Sequence, residues 1–329
     1  MNSIQRRTQS QGPRHFLTGT ELSRTELVAL LELADACRSQ RLKGFKRDDL
    51  SGKTVVLLFE KPSLRTRVSF AVAVQELGGM VVELNSMGRK KEEPEDTVRV
   101  LSGYCHAVMV RTHEHSILDR MAKLSKIPVI NGLSDTHHPC QVLADLQTLR
   151  KRVGGNADLK GFKLAYLGDG NNMLHSLLLL APMLGIEVHY ACPKGYQPNS
   201  LVLRKAKSRG KDGGGAVVGH ESPAEAVRGA NAVYTDVWTS MGFEQDETNR
   251  DRDFAGYQLN SDLYALAARE AAIMHCMPMI RGKEITGDLV EHPNSVLFQQ
   301  AENRMHAQKA LLIQLLSDQR HALGDVFDG

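Results

Sequence analysis

Short runs dense in β-branched and apolar residues recur along this chain, spaced so that one helix fits between each pair. Thr54–Phe59, Met80–Leu84, Ala107–Val110 and Ile127–Ile130 read as strands, and the stretches near 66–77, 95–102 and 116–125 read as helices. Such alternation specifies parallel strands joined by crossover helices. Ser23 with Glu26 forms a capping-box pattern ahead of the apolar-periodic Leu27–Cys37, so a helix opens the chain. After a helix near 139–151 and the loop Gly154–Asn156, the alternation restarts with Lys163–Leu167, Ile186–Ala191, Ala216–Val218, Ala232–Thr235, Ala272–His275 and Ser295–Phe298. The reading is an α/β protein of two domains, each with a central parallel sheet flanked by helices. The final stretch Glu302–Leu323 carries a helical stripe through Ala307, Leu311 and Leu315, and can pack on either domain. Arg89–Asp96, the glycines Gly210–Gly215 and Gly242–Asp253 read as solvated loops, or as lids where they lie beside a site.

At 329 residues the chain is long enough for two domains, and 42% hydrophobic with 24% charged residues is ordinary globular composition. A net charge of +3 is too small over this length to announce a nucleic-acid or membrane partner, so any basic site must be local. Cys37, Cys105, Cys140, Cys192 and Cys276 are odd in number and lack the spacing of a disulfide framework, which favours a reducing, cytoplasmic setting. No apolar run reaches the roughly 18 residues of a membrane span. Met1–Gly19 lacks the apolar core of a signal peptide and reads as a frayed extension.

In open parallel sheets, ligands bind beyond the carboxyl ends of the strands. The reactive side chains collect there: Ser63, Arg65 and Thr66 after the first strand, Arg111 at the end of the third, and His138 with Gln141 after the fourth. Asn172, Asp236 and Cys276 follow strands of the second half. The run Phe59–Arg67 is a strand, a polar loop and a helix start, where unpaired N–H groups and arginine forks would grip an oxyanion. His138, Pro139 and Gln141 put an imidazole and a carboxamide side by side, suited to a small carbonyl and its amide. Asp236 at a strand end offers a counter-charge to an aliphatic amine, or simply caps the following turn. Cys276 beside it is either a buried inert thiol or part of the same wall.

Two other chemistries are disfavoured. His137, His138, Cys140, His275 and Cys276 form neither a CxxC ladder nor an HExxH, so no metal is expected. Gly168-Asp169-Gly170-Asn171-Asn172-Met173 begins like a dinucleotide finger, but Met173 stands at the third glycine and Ala191-Cys192-Pro193 supplies no acid for a ribose.

Taken together, FEKPSLRTRVSF, HHPCQVLADLQTL, LGDGNNMLHS, DVWTSMG, HCMP and SVLFQQAENRMHAQKALL, in this order and spacing, resemble the ornithine carbamoyltransferases from about His15 onward. The resemblance implies carbamoyl transfer from carbamoyl phosphate to the δ-amine of L-ornithine, giving L-citrulline and phosphate, without cofactor or metal. It implies a carbamoyl-phosphate-binding domain over residues 1–150, with the last helix, about 303–323, returning to it, and an ornithine-binding domain over 151–302, the active site lying in the cleft between them. By the same resemblance Ser63, Leu64, Arg65, Thr66, Arg111, His138, Gln141, Cys276, Met277 and Arg304 hold carbamoyl phosphate, and Asn172, Asp236, Ser240 and Met241 hold ornithine. Asp236, Cys276, Arg111 and His138 would carry the catalysis, in a cytoplasmic homotrimer or a multiple of it. Leu64 replaces the family's usual threonine and Met277 its more usual leucine. Because relatives acting on N-acetyl- or N-succinylornithine share the Pro-Ser-Leu-Arg-Thr-Arg style of loop, those acceptors and putrescine remain alternatives at this point.

Overall fold

The computed structural model describes residues 12–85, 92–155, 158–239 and 244–317. A first parallel sheet contains β1 (Thr54–Phe59), β2 (Met80–Asn85), β3 (Ala107–Arg111) and β4 (Val129–Leu133) in the order β2-β1-β3-β4. Its helices are α1 (Arg24–Leu42), α2 (Arg65–Glu76), α3 (Pro94–Leu101), α4 (His115–Leu124) and α5 (Pro139–Arg152). A second parallel sheet contains β5 (Lys163–Leu167), β6 (Glu187–Ala191), β7 (Ala216–His220), β8 (Ala232–Thr235) and β9 (Ala272–His275) in the order β7-β6-β5-β8-β9. It carries α6 (Asn172–Leu180), α7 (Ser200–Gly213), α8 (Pro223–Val227), α9 (Glu247–Phe254), α10 (Ser261–Tyr264) and α11 (Gly287–Val290). The two-sheet α/β architecture expected from the alternation is therefore present. The last helix, α12 (Leu297–Leu316), packs against α1, α2 and α5 and touches β9.

β1, β3, β5 and β8, inside their sheets, are buried along nearly their whole length, as crossover helices on both faces require. The capping box is realised: Ser23 Oγ accepts from Glu26 N at 3.2 Å while Glu26 accepts from Ser23 N at 2.8 Å. That reciprocal pair satisfies two otherwise orphaned groups and fixes the start of α1.

Several expectations need correction. The fourth strand runs 129–133 rather than 127–130, because Pro128 has no N–H for the ladder. The expected strand at 295–298 is one isolated bridge, Ser295 to Ile273, after which α12 begins at Leu297. A short apolar run does not by itself distinguish a strand from the start of a buried helix. The glycines 210–215 are no solvated loop: α7 extends to Gly213 and Gly214 caps it at φ 78°. A Cβ on Gly213 would lie 2.3 Å from Met183 Cα, and one on Gly215 2.5 Å from the Pro182 carbonyl oxygen. The missing side chains let helix and turn pack backbone to backbone. Within 244–253, residues 244–246 form a 3-10 turn and 247–253 belong to α9. The charged run ends inside a helix, since α3 begins at Pro94, where a proline fits the first turn. Residues 89–91 of that run, Gly242, Phe243, residues 1–11 and residues 318–323 fall outside the described residues.

Candidate active site

Both sheets reverse their winding at one place, between β1 and β3 in the first and between β5 and β8 in the second. Loops leave such switch points in opposite directions and open a crevice at the carboxyl ends. Phe59 pairs with Arg111, so the loop leading into α2 starts beside that arginine. Leu167 pairs with Thr235 and Thr235 with His275, which brings the segment after Leu167, Asp236 and Cys276 to one level.

The amino-terminal wall is cationic. The first turn of α2 has no side-chain cap: Leu64 occupies the cap position and is 73% exposed, so its side chain lies in solvent. The N–H groups of that turn are thus left for an anion, and the helix dipole reinforces them. The buried Thr66 hydroxyl oxygen accepts from Arg304 Nη2 at 2.6 Å and from Arg111 Nη1 at 3.4 Å. Arg304 also donates through Nη1 to Gln141 Oε1 at 2.9 Å. Both of these Arg304 acceptors are neutral. Burial, then repulsion from Arg304 and Arg65, brings Arg111 down to about 10, and burial followed by repulsion from Arg65 does the same to Arg304. Arg65 is lowered by burial as well.

His138 precedes α5 with Pro139 at its first turn, and its backbone N–H donates to Ser176 Oγ across the cleft at 2.8 Å. Burial, followed by the three arginines, holds its imidazole well below the ordinary histidine range, so it is neutral at physiological pH. Its buried Nδ1 has no hydrogen-bond partner among the described residues. A neutral imidazole among cations can donate to a developing oxyanion without adding to the local charge.

The opposite wall is acidic. Cys276 Sγ donates to Asp236 Oδ1 at 3.0 Å, the Val237 N–H donates to the same oxygen at 2.8 Å, and Asn171 Nδ2 donates to Oδ2 at 2.8 Å. Burial first, then Asp236, pushes the thiol well above its usual value, so Cys276 keeps its proton. Asn171 caps α6 through Oδ1, and Asn172 Nδ2 bridges to the Ser134 carbonyl at 2.6 Å. Met277 takes a left-handed φ of 58°, a strained setting for a residue with a Cβ. A buried brace holds it: Met277 N–H donates to His275 Nδ1 at 2.8 Å, and His275 Nε2 meets Glu284 Oε1 at 2.9 Å.

Sequence reasoning named Ser63, Leu64, Arg65, Thr66, Arg111, His138, Gln141, Arg304, Asn172, Asp236, Cys276 and Met277; Arg111 ends β3, Arg304 reaches in from within α12, and the others lie on the loops and helix starts around this crevice. Ser240 and Met241 fall outside the described residues. It read Asn171, like Asn172, as free to face a polar ligand or as a plain turn residue, and it missed Asp145, Glu284 and Arg250. Arg250 of α9 pairs with Asp169 at 2.8 Å and donates to the Trp238 carbonyl at 2.7 Å, anchoring the segment after Asp236.

Asp236, His275 and Cys276 bring potential metal-ligand atoms within 4.8 Å of one another. Both nitrogens of His275 are already engaged by Met277 and Glu284, so that imidazole has no lone pair to offer. Gly170 is likewise not a dinucleotide glycine: a Cβ there would lie 2.3 Å from Pro198 N, so the 196–198 segment packs directly over it.

The comparisons with known proteins agree with this geometry. Residues 14–151 match the carbamoyl-P binding domain of aspartate/ornithine carbamoyltransferase, and residues 160–315 match its Asp/Orn binding domain. The ornithine carbamoyltransferase of Acidothermus cellulolyticus is 47% identical over 306 residues, covering 92% of this chain and 96% of that relative. The structure of ornithine carbamoyltransferase from Pyrococcus furiosus superposes with a TM-score of 0.89 at 42% identity, covering 93% of this chain and 97% of that one. An N-acetyl-L-ornithine transcarbamylase mutant complexed with PALAO is similar at 28% identity and a TM-score of 0.82, covering 92% and 99%. Two domain models in sequence order, with relatives matched nearly end to end, make this chain a member of the aspartate/ornithine carbamoyltransferase family.

Proposed function

We propose that this protein transfers the carbamoyl group of carbamoyl phosphate to the δ-amine of L-ornithine, releasing L-citrulline and phosphate. The observation that carries the reading is the meeting of an arginine nest, with neutral partners for Arg304, and an acid–thiol pair in one crevice. In this reading the uncapped turn at Ser63, Leu64, Arg65 and Thr66, with Arg111, holds the phosphate. His138, Gln141, Arg304 and the Cys276–Met277 turn hold the carbamoyl group. Asn172, Asp236, Ser240 and Met241 receive ornithine. Residues 1–150 with α12 form the carbamoyl-phosphate-binding domain and 151–302 the ornithine-binding domain.

The attacking amine must lose a proton, since a free alkylammonium has a pKa of about 10.4. Asp236 is the acceptor that orients it, while Cys276 acts as a proton-bearing partner of Asp236 rather than as a thiolate base. The nitrogen attacks the carbamoyl carbon, and Arg111, His138 and Thr66 stabilise the oxyanion that forms. The bond from carbon to the phosphate oxygen then breaks, and the electron pair leaves on phosphate held by Arg65.

We further propose a cytoplasmic homotrimer or a multiple of it. Exposed Leu64, Val68, Met80 and Val82 form apolar surface at the start of α2 and on the edge strand β2, and would be covered in such an assembly. Among the described residues no helix is long and apolar enough to cross a membrane, and all five cysteines are free. Light scattering at working concentration should give three times the chain mass or a multiple; a monomer would refute the assembly.

Incubating the protein with carbamoyl phosphate and ornithine, N-acetylornithine, N-succinylornithine or putrescine in turn, and measuring ureido product and phosphate, tests the acceptor. Ornithine should be the best substrate. If it were the poorest, the specificity would have to be reassigned.

A further inference from the structure

Asp145 lies on α5 one turn beyond Gln141 and is fully buried. Its Oδ1 accepts from Gln141 Nε2 at 2.9 Å and from Gln300 Nε2 at 2.8 Å, and its Oδ2 accepts from Tyr234 Oη at 3.1 Å. The three donors come from α5, α12 and β8. Gln300 in turn accepts the His275 N–H through Oε1 at 3.1 Å, immediately before Cys276, and Tyr234 stands two residues before Asp236.

We propose that Asp145 is a positioning residue that fixes which end of the Gln141 carboxamide faces the carbamoyl group. This rests on the reading that Gln141 holds the carbamoyl nitrogen. A carboxamide is nearly symmetric in shape but opposite in hydrogen-bonding sense at its two ends. An ionised carboxylate is acceptor-only, so Gln141 must turn Nε2 towards Asp145. Its Oε1 then faces Arg304, where it can also accept from a carbamoyl N–H. Without Asp145, Nε2 can rotate towards Arg304, where donor meets donor and the acceptor for the carbamoyl nitrogen is lost. Burial lifts the Asp145 carboxyl to about 6 against the pull of its three donors, which leaves it ionised at pH 7.5.

The test is a double-mutant cycle with Asp145→Ala and Gln141→Ala, since two residues acting as one unit are not additive. Asp145→Ala should lower kcat/KM for carbamoyl phosphate about 10- to 100-fold, the range of a lost charge-assisted hydrogen bond, while the KM for ornithine moves less than about twofold. The double variant should be no worse than the poorer single one. Losses that multiply, or a KM for ornithine that rises in step, would overturn the proposal in favour of a structural role. If Gln141→Ala alone leaves carbamoyl-phosphate kinetics unchanged, the underlying reading of Gln141 fails instead. Asp145→Asn keeps a carbonyl for both glutamine amides and can donate to the Tyr234 hydroxyl oxygen, so it should stay within about fivefold of the parent. It also serves if the alanine variant does not fold; a loss beyond about 100-fold in a folded Asp145→Asn protein would show that charge, not amide orientation, is what matters.

Discussion

The two walls of the crevice handle burial in contrasting ways. On the amino-terminal side, buried guanidinium groups crowd together, and Arg304 is met by the oxygens of Thr66 and Gln141, which carry no charge. On the carboxyl-terminal side Asp236 is already satisfied by a thiol, a backbone N–H and the Asn171 amide. The first wall carries an electrostatic cost that a bound anion relieves; the second is internally balanced and needs only a small rearrangement to admit an amine. The difference predicts an order of binding: phosphate should associate with the protein in the absence of ornithine, and ornithine alone should bind weakly.

Substitutions should separate the walls. Asp236→Asn should cost the most, about 10²–10⁴ in kcat, the range of lost general-base catalysis, with phosphate protection against heating preserved. Arg111→Ala should cost about 10²–10³ in kcat, as a lost oxyanion donor does, and should also abolish that protection. If both variants lost phosphate binding equally, the walls would not be independent.

A sharper probe is the thermal shift produced by inorganic phosphate. At about 100 times Kd the ligand should add about 2.7 kcal/mol of stability. Arg111 and Arg304 are held down near 10, below the ordinary arginine value, so their repulsion is fully present at neutral pH and is relieved as pH rises through 10. The phosphate shift should therefore be large at neutral pH and fade above about 10; a shift independent of pH through that range would contradict the nest. Asn171→Ala removes both a cap and an Asp236 partner, and should lower stability by about 1 kcal/mol and turnover about tenfold. Leu64→Thr should change kcat/KM least, within about twofold, because the position at the start of α2 would serve an anion through its backbone N–H, which the substitution keeps.

The sequence made most of the fold legible because strands such as β1 and β3 are continuous apolar runs and α1 begins at a recognisable capping box. It failed at Ser295–Phe298, where an apolar run four residues long fits a strand and a helix start equally. The glycines 210–215 failed for a different reason: their role is a close approach to Pro182 and Met183, which local patterning does not contain. Most residues that would touch substrate were legible because they follow strand ends, whereas Arg304, inside α12, was named only through the family resemblance. Asp145, Glu284 and Arg250 were not, since they act through partners such as Tyr234, His275 and Asp169 that only folding brings near.

The placement of α12 bears on how this molecule is made. The arginine that bridges Thr66 to Gln141 resides in α12, 238 residues beyond Thr66, so a ribosome must translate past that helix before the arginine nest is complete. A nascent chain halted before residue 297 could still pair its first four strands, yet it would leave α1, α2 and α5 without their shared neighbour. Until that helix docks, Thr66 and Gln141 lack the guanidinium that joins them.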